Sequence, residues 1–322
     1  MTSEKHNINS FAIVLDEKGG ILENIPFDKI DKSTKKLWIN LASLQTEEKI
    51  SLLRRFEFVD DIIKKSYNSI IDRNKLIINE QENCFYINLY GTSAPKSIIN
   101  LKILVTPDMI ITIGNFPFKY LQSTYNDLTD GYGPKSPLDI FLLLTQNLFE
   151  NIYYKTYEIS EEIDALETKT IQVKNSKEFD NKIFRLRREL ISIHRYIIPQ
   201  KEVFQNIKDE VSFLSETKQK NKLKEISETI NNIIDNSEYA RKHIIAIKDE
   251  LENNLSININ NNMYIITLLV AIFTPISLVV DLIGIDLSVL FKETDYAFAL
   301  VCGVISLISL IMFMIIRKFR IN

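Results

Sequence analysis

Two carboxylates near the C-terminal end, Asp281 and Asp286, sit inside and just beyond a run that is otherwise free of charge, Met263 to Ile285. Asn260, Thr267, Thr274 and Ser277 add neutral oxygen donors to the same stretch. Oxygen ligands of this kind suit hard divalent cations, held in part through retained water. Read in steps of seven, Asn260, Thr267, Thr274 and Asp281 fall close to one helical face, with Ser277 beside them. A carboxylate at membrane depth costs about 3 kcal/mol or more, so a chain that keeps one turns it toward a water-filled path or a partner helix.

Asp286 follows Asp281 by five positions, about 140° around an unbroken helix, so both carboxylates reach one path only if the helix ends between them. Gly284 offers that end. Glycine at this point can take the left-handed conformation that stops a helix and turns the next residues, Ile285 and Asp286, inward. Asp286 and Asp281 are the candidate metal ligands, and Gly284, Ile285, Ser277, Thr274, Thr267 and Asn260 are the candidate pore lining, provided that like stripes from other copies face them to make a wet path. Rings of carboxylates from several copies would repel one another when empty, so protons and metal compete for the same oxygens.

The element that must position these groups is a membrane helix. Met263 to Ile285 spans 23 residues, and at the helical rise it reaches roughly 35 Å, enough to cross a ~30 Å hydrocarbon core with some tilt. A second uncharged run, Tyr296 to Ile316, is followed at once by Arg317-Lys318-Phe319-Arg320. The connecting loop, 286–295, holds one basic residue and the tail, 317–322, holds three, which places the tail on the cytoplasmic side. Two spans then put the N-terminal part on that side too. The expectation is a multi-pass protein of the inner (plasma) membrane with both termini cytoplasmic. The polar start, Met1 to His6, lacks the apolar core of a signal peptide.

Charge and composition remove other classes. A net charge of −3 gives no cation excess for phosphate, so nucleic acid is not an expected partner. The expected partners are the lipid bilayer, divalent cations, protons and further copies of the chain. Cys84 lies in a strand-like run and Cys302 in the second span, too far apart for a metal clip. His6, His194 and His243 are isolated along the chain and read as solvated or packed residues. Gly131-Tyr132-Gly133-Pro134-Lys135-Ser136 invites comparison with a phosphate loop, but Pro134 separates Gly133 from the lysine, and the segment reads as a turn. No nucleophile–base set or nucleotide fingerprint is present, so no enzymatic activity and no cofactor are expected.

Residues 1–136 alternate β-rich runs with helical ones. Strands are expected at Phe11 to Leu15, Leu37 to Leu41, Lys75 to Ile78, Phe85 to Tyr90, Ile98 to Val105 and Met109 to Ile113, and helices at Thr46 to Phe56 and Val59 to Tyr67. Connections among the last three strands are too short for parallel crossovers, so the sheet is expected to be mixed and largely antiparallel. Residues 137–262 contain no glycine and few prolines, which predicts long helices: Leu138 to about Lys174, Lys177 to Glu216 with a kink at Pro199, and a third from near Asn221. In the third, Leu223, Ile226, Ile230, Ile233, Ser237, Ala240, Ile244, Ile247 and Leu251 keep three-four spacing, a heptad seam expected to pack against like seams in other copies. The fold class is thus an α+β cytoplasmic domain followed by long stalk helices and two C-terminal transmembrane helices.

The whole arrangement resembles the CorA metal ion transporter family. In that family the first span ends in Gly-Met-Asn, or Gly-Val-Asn in the ZntB zinc transporter branch, and this chain has Gly284-Ile285-Asp286 at the family's distance from Pro275. Leu287, the Gly133-Pro134-Lys135-Ser136 segment and the run Arg195 to Val203 are also similar, the first two more to the ZntB branch. The resemblance implies a funnel-shaped homopentamer whose first spans line a central pore. It also implies transport of divalent cations, with Zn²⁺ favoured and Mg²⁺ or Co²⁺ as alternatives. A membrane-anchored structural or signalling protein that does not transport stays open as a second class. Asp286 in place of asparagine is the departure from the family pattern.

Overall fold

Alternation of apolar residues in the N-terminal strands gives the sheet two buried faces, and each face finds its own helical cover. The computed structural model describes residues 10–30, 36–41, 44, 46–56, 76–79, 83–94, 97–113, 119–170, 176–211, 214 and 217–284, with parts of 303–314. They divide into two units, 1–245 and 246–322. The first unit holds seven strands: β1 Phe11–Leu15, β2 Ile21–Asn24, β3 Leu37–Asn40, β4 Leu76–Asn79, β5 Cys84–Ala94, β6 Ser97–Val105 and β7 Met109–Ile113. Their order is β2-β1-β3-β7-β6-β5-β4. Every neighbouring pair is antiparallel except β3 and β7, which run parallel with Trp38 opposite Ile110. The mixed, largely antiparallel sheet read from the sequence is the one observed.

On one face Ala12, Leu37, Ile39, Tyr86, Leu104 and Ile111 form a core with Leu52, Leu53 and Phe56, at and just beyond the end of helix α1 (Thr46–Leu53). The alternate residues Ile13, Trp38, Phe85, Ile87, Ile103 and Ile110 are fully buried on the other face. There α2 (Lys119–Thr129) sets Tyr125 against Phe11, ring centres 4.9 Å apart, and α3 (Pro137–Thr170) sets Phe141 against Phe85 at 5.1 Å. A third layer follows. Phe204 of α4 (Ser176–Glu210) stacks on Phe141 at 6.1 Å and meets Phe149 edge-on at 5.2 Å. Tyr196 of α4 stacks on Tyr90 of β5 at 4.8 Å, and the Gln200 side chain bonds both the N–H and the carbonyl of Tyr90 at 3.4 Å.

Several elements differ from the sequence reading. β2 and α2 have no counterpart in the sequence reading; Ile-Leu-Glu-Asn of β2 carries little apolar character. The expected helix at Val59 to Tyr67 lies outside the described residues. β5 and β6 extend beyond their apolar stretches because the ladder carries Gly91 opposite Ile99 and Thr92 opposite Ile98, so pairing overrides weak strand propensity. Pro199 lies inside α4, which runs on to Glu210.

The glycine-rich segment before α3 is a tight joint. The Gly133 N–H donates to the Gly19 carbonyl at 2.8 Å, and the Asp139 N–H donates to Ser136 Oγ at 3.1 Å, an N-cap ahead of Pro137. Gly19 turns the β1–β2 hairpin with φ +91°, and a Cβ there would lie 2.3 Å from the Gly133 carbonyl oxygen. Gly19→Ala is therefore expected to cost about 2 kcal/mol or more, from the left-handed backbone and the backbone clash together. Gly20→Ala, whose added methyl meets only an ordinary contact at 3.7 Å, is expected to cost far less. Urea denaturation of the two variants checks this; equal losses would show that the joint is not close-packed.

The third long helix, α5 (Thr217–Gly284), corrects one expectation. Leu223, Ile226, Ile230, Ile233, Ser237, Ala240, Ile244 and Ile247 are buried within a single chain, so this seam is the helix's own packing face and not a surface kept for other copies. α3 and α4 line up beside it. Arg185 of α4 is bonded to Glu162 of α3, and His243 of α5 lies against Asp164 and Glu167 of α3. The corner between α4 and α5 carries no glycine or proline. With no such breaker the sequence reading runs α4 on to Glu216, whereas in the fold buried Val211 and Leu214 anchor the corner.

His194 of α4 has its Nδ1 buried without a bonding partner. Burial first, then the Arg241 guanidinium of α5, hold its imidazole below the ordinary value of 6.5, against a smaller upward pull from Glu238. The folded chain thus binds this proton less readily than the unfolded one. Its contribution to stability is complete above about pH 6.5 and is lost as the pH falls below it. Thermal melts between pH 7.5 and 5.5 are expected to drop less for His194→Gln than for wild type; an identical drop would remove His194 as the cause.

The second unit contains the rest of α5, together with short helical stretches at Gly303–Val304, Ser306–Leu307, Leu310–Ile311 and Met314. From Glu252 to Met263 every residue is exposed in the single chain.

Candidate functional site

Helical geometry carries the stripe of oxygen donors. α5 is α-helical through Gly284, so Asn260, Thr267, Thr274 and Asp281 recur every two turns and drift by only about 20° per repeat. Ser277 lies three residues after Thr274 and four before Asp281, adjacent to both on the helix surface. All five side chains are exposed in the single chain.

The two threonines are already half satisfied. The Thr267 hydroxyl donates to the Met263 carbonyl at 2.8 Å and the Thr274 hydroxyl to the Val270 carbonyl at 2.7 Å. With the proton used inside the helix, the oxygen lone pairs remain for water or a cation. Asp281 adds the one formal charge among the described residues from Met263 onward on α5.

The rest of this helix is apolar and unpacked. Ile265, Leu269, Val270, Phe273 and Leu278 stand about half exposed or more. Among the described residues one helix is long and apolar enough to cross a membrane, within Thr217–Leu278, and none of its apolar window is buried in the chain. A surface of that kind is stable only against lipid or further protein. Gly284 is the last described residue of α5, whereas Ile285 and Asp286 lie outside the described residues, as does Cys302.

Among the described residues no group of three or more His, Cys, Asp or Glu side chains could hold a metal ion. Along the stripe a single chain offers one carboxylate and neutral oxygens, so a multidentate cation site requires the same stripe from several copies. His243, isolated along the sequence, does meet two acids in the fold. His243 lies between Asp164 and Glu167, roughly 80 positions away along the chain, a meeting that no local spacing announces.

With this geometry in hand, the likeness to known proteins is informative. The family model described as CorA-like Mg2+ transporter protein matches residues 33–318. The zinc transport protein ZntB of Yersinia enterocolitica is 20% identical over 301 residues, covering 91% of this chain and 89% of that protein. The divalent cation transporter CmaX of Pseudomonas aeruginosa is 20% identical over 236 residues, 73% of this chain and 71% of that protein. Among solved structures, full-length CmaX superposes with a TM-score of 0.79 at 19% identity, covering 98% of this chain and all of that one. The CorA magnesium transporter of Methanocaldococcus jannaschii superposes with a TM-score of 0.76 at 17% identity over 97% and 98% of the two chains. At these identities the superpositions speak for the fold.

Proposed function

The chain belongs to the CorA family of metal ion transporters, and from that premise we propose that it carries divalent cations across the inner membrane through a pore formed by α5 of several copies, five if it assembles as the resemblance implies. It is a transporter and not an enzyme. The observation that carries the reading is the exposed stripe Asn260, Thr267, Thr274, Ser277 and Asp281 on a helix otherwise covered with unpacked apolar residues.

The residues act in sequence along the path. Asp286 and Gly284-Ile285 form the mouth, where a hydrated cation is first held. Asp281 gives a second ring of carboxylates below it. Ser277, Thr274, Thr267 and Asn260 then replace water one position at a time toward the other end. Because conduction requires exit as well as entry, neutral oxygens below a charged mouth favour release. Tyr296 to Ile316 forms the outer span, and both termini lie on the cytoplasmic side.

Relatives named for zinc and for magnesium transport both support the coarse reading. The likeness to ZntB over most of the chain favours Zn²⁺, whereas the all-oxygen stripe is equally suited to Mg²⁺ or Co²⁺. The test is uptake by proteoliposomes loaded with indicators for Zn²⁺ or Mg²⁺. Saturable entry of at least one of Zn²⁺, Mg²⁺ and Co²⁺ is the expected result. No entry of any of the three into vesicles holding folded protein would overturn the proposal and leave a membrane-anchored structural role.

A further inference from the structure

His243 lies three residues before the second unit begins, on the last part of α5 that α3 accompanies in the first. Its ring is 18% exposed, and each nitrogen faces a different acid of α3: Nδ1 is 3.4 Å from Asp164 Oδ1 and Nε2 is 3.2 Å from Glu167 Oε2. A neutral imidazole carries one N–H, so it can donate to one of these acids while its other nitrogen turns a lone pair on the second. Both contacts are attractive only for the imidazolium, which donates from both nitrogens.

A metal does not explain the arrangement. The two nitrogens point away from each other, so the carboxylates lie at opposite edges of the ring and do not converge on one point, in keeping with the absence of a metal-holding group among the described residues. On α5 the Tyr239 ring centre lies 6.0 Å from that of His243, and Lys242 is paired with Glu238 at 3.1 Å. On α3 and α4, Glu162 takes up Lys182 and Arg185, while Arg241 of α5 acts on His194 of α4.

We propose that Asp164, His243 and Glu167 form a proton-operated fastening that ties α3 to α5 through two attractive contacts when the imidazole is protonated and through one when it is not. Protonation of the ring therefore tightens this joint and loss of the proton loosens it. The inference concerns the helical layer alone and holds whichever cation is carried.

The experiment is hydrogen exchange of the full-length protein in detergent at pH 5.8 and pH 8.0, corrected for intrinsic rates and read on peptides covering 158–170. Wild type is expected to show roughly two- to five-fold greater protection at pH 5.8, the scale of one partly exposed charged bond. Asp164→Asn with Glu167→Gln should erase the difference. His243→Arg, which keeps its charge at both pH values, should hold protection at the higher level throughout. Equal wild-type protection at the two pH values, or a difference that survives in the double variant, would overturn the proposal.

Discussion

Ile230→Asp is expected to unfold the helical layer of the first unit rather than to separate intact subunits. Ile230 is wholly buried within one chain, together with Ile226 and Ile233 on the same face of α5. A carboxylate there loses its hydration without gaining a cation, and the isoleucine's packing is lost as well. The combined cost is on the order of 4 kcal/mol or more, a large part of the stability of an ordinary domain. Circular dichroism during heating should show a transition lowered by many degrees. Leu255→Asp, at a side chain half exposed on the same helix, should leave that transition nearly where it was. Light scattering on the same samples separates the readings: an Ile230→Asp protein that melts like wild type but has a smaller mass would return the seam to the space between copies.

The second large effect concerns the acids of the proposed pore. Asp281→Ala removes the one carboxylate of the described stripe and is expected to weaken the apparent affinity for the transported cation roughly ten-fold, the scale of a lost charged ligand. Asp286→Asn should act differently. It exchanges a charged mouth for the neutral amide of the family signature, so the cation is held less tightly there, leaves sooner, and no longer competes with protons for that ring. Faster flux with a flatter pH dependence is the expected outcome in proteoliposomes. If neither substitution changes flux or affinity in folded protein, the acidic pore is wrong.

The sequence disclosed those parts whose signal is local. β1, β3 and β7 match their apolar runs to within a residue, and the long helices appear because glycine is missing from 134–283. The stripe on α5 could be read for the same reason, since a helical period needs no partner. What needed the structure was every feature that depends on what lies opposite. The heptad spacing from Leu223 to Ile247 gives the burial of that face correctly but cannot say whether the cover is another copy or the chain's own α3 and α4. Gly133 gave no sign of Gly19, and His243 none of Asp164, because each pair is far apart along the chain.

The single parallel contact in the sheet bears on how the protein is made. β4 to β7 form a meander of hairpins between near neighbours, and β1 to β3 a second local group, but β3 meets β7 only across a gap of about 70 residues. Loop closure makes that junction the late step, after both groups have formed. During synthesis the first group leaves the ribosome before β7 exists. For those seconds Leu37, Trp38 and Ile39 present an unpaired, apolar strand edge, a place where a chaperone would bind or aggregation begin. The exposed apolar part of α5 is synthesised later still, so the sheet has time to close before that part of the chain exists.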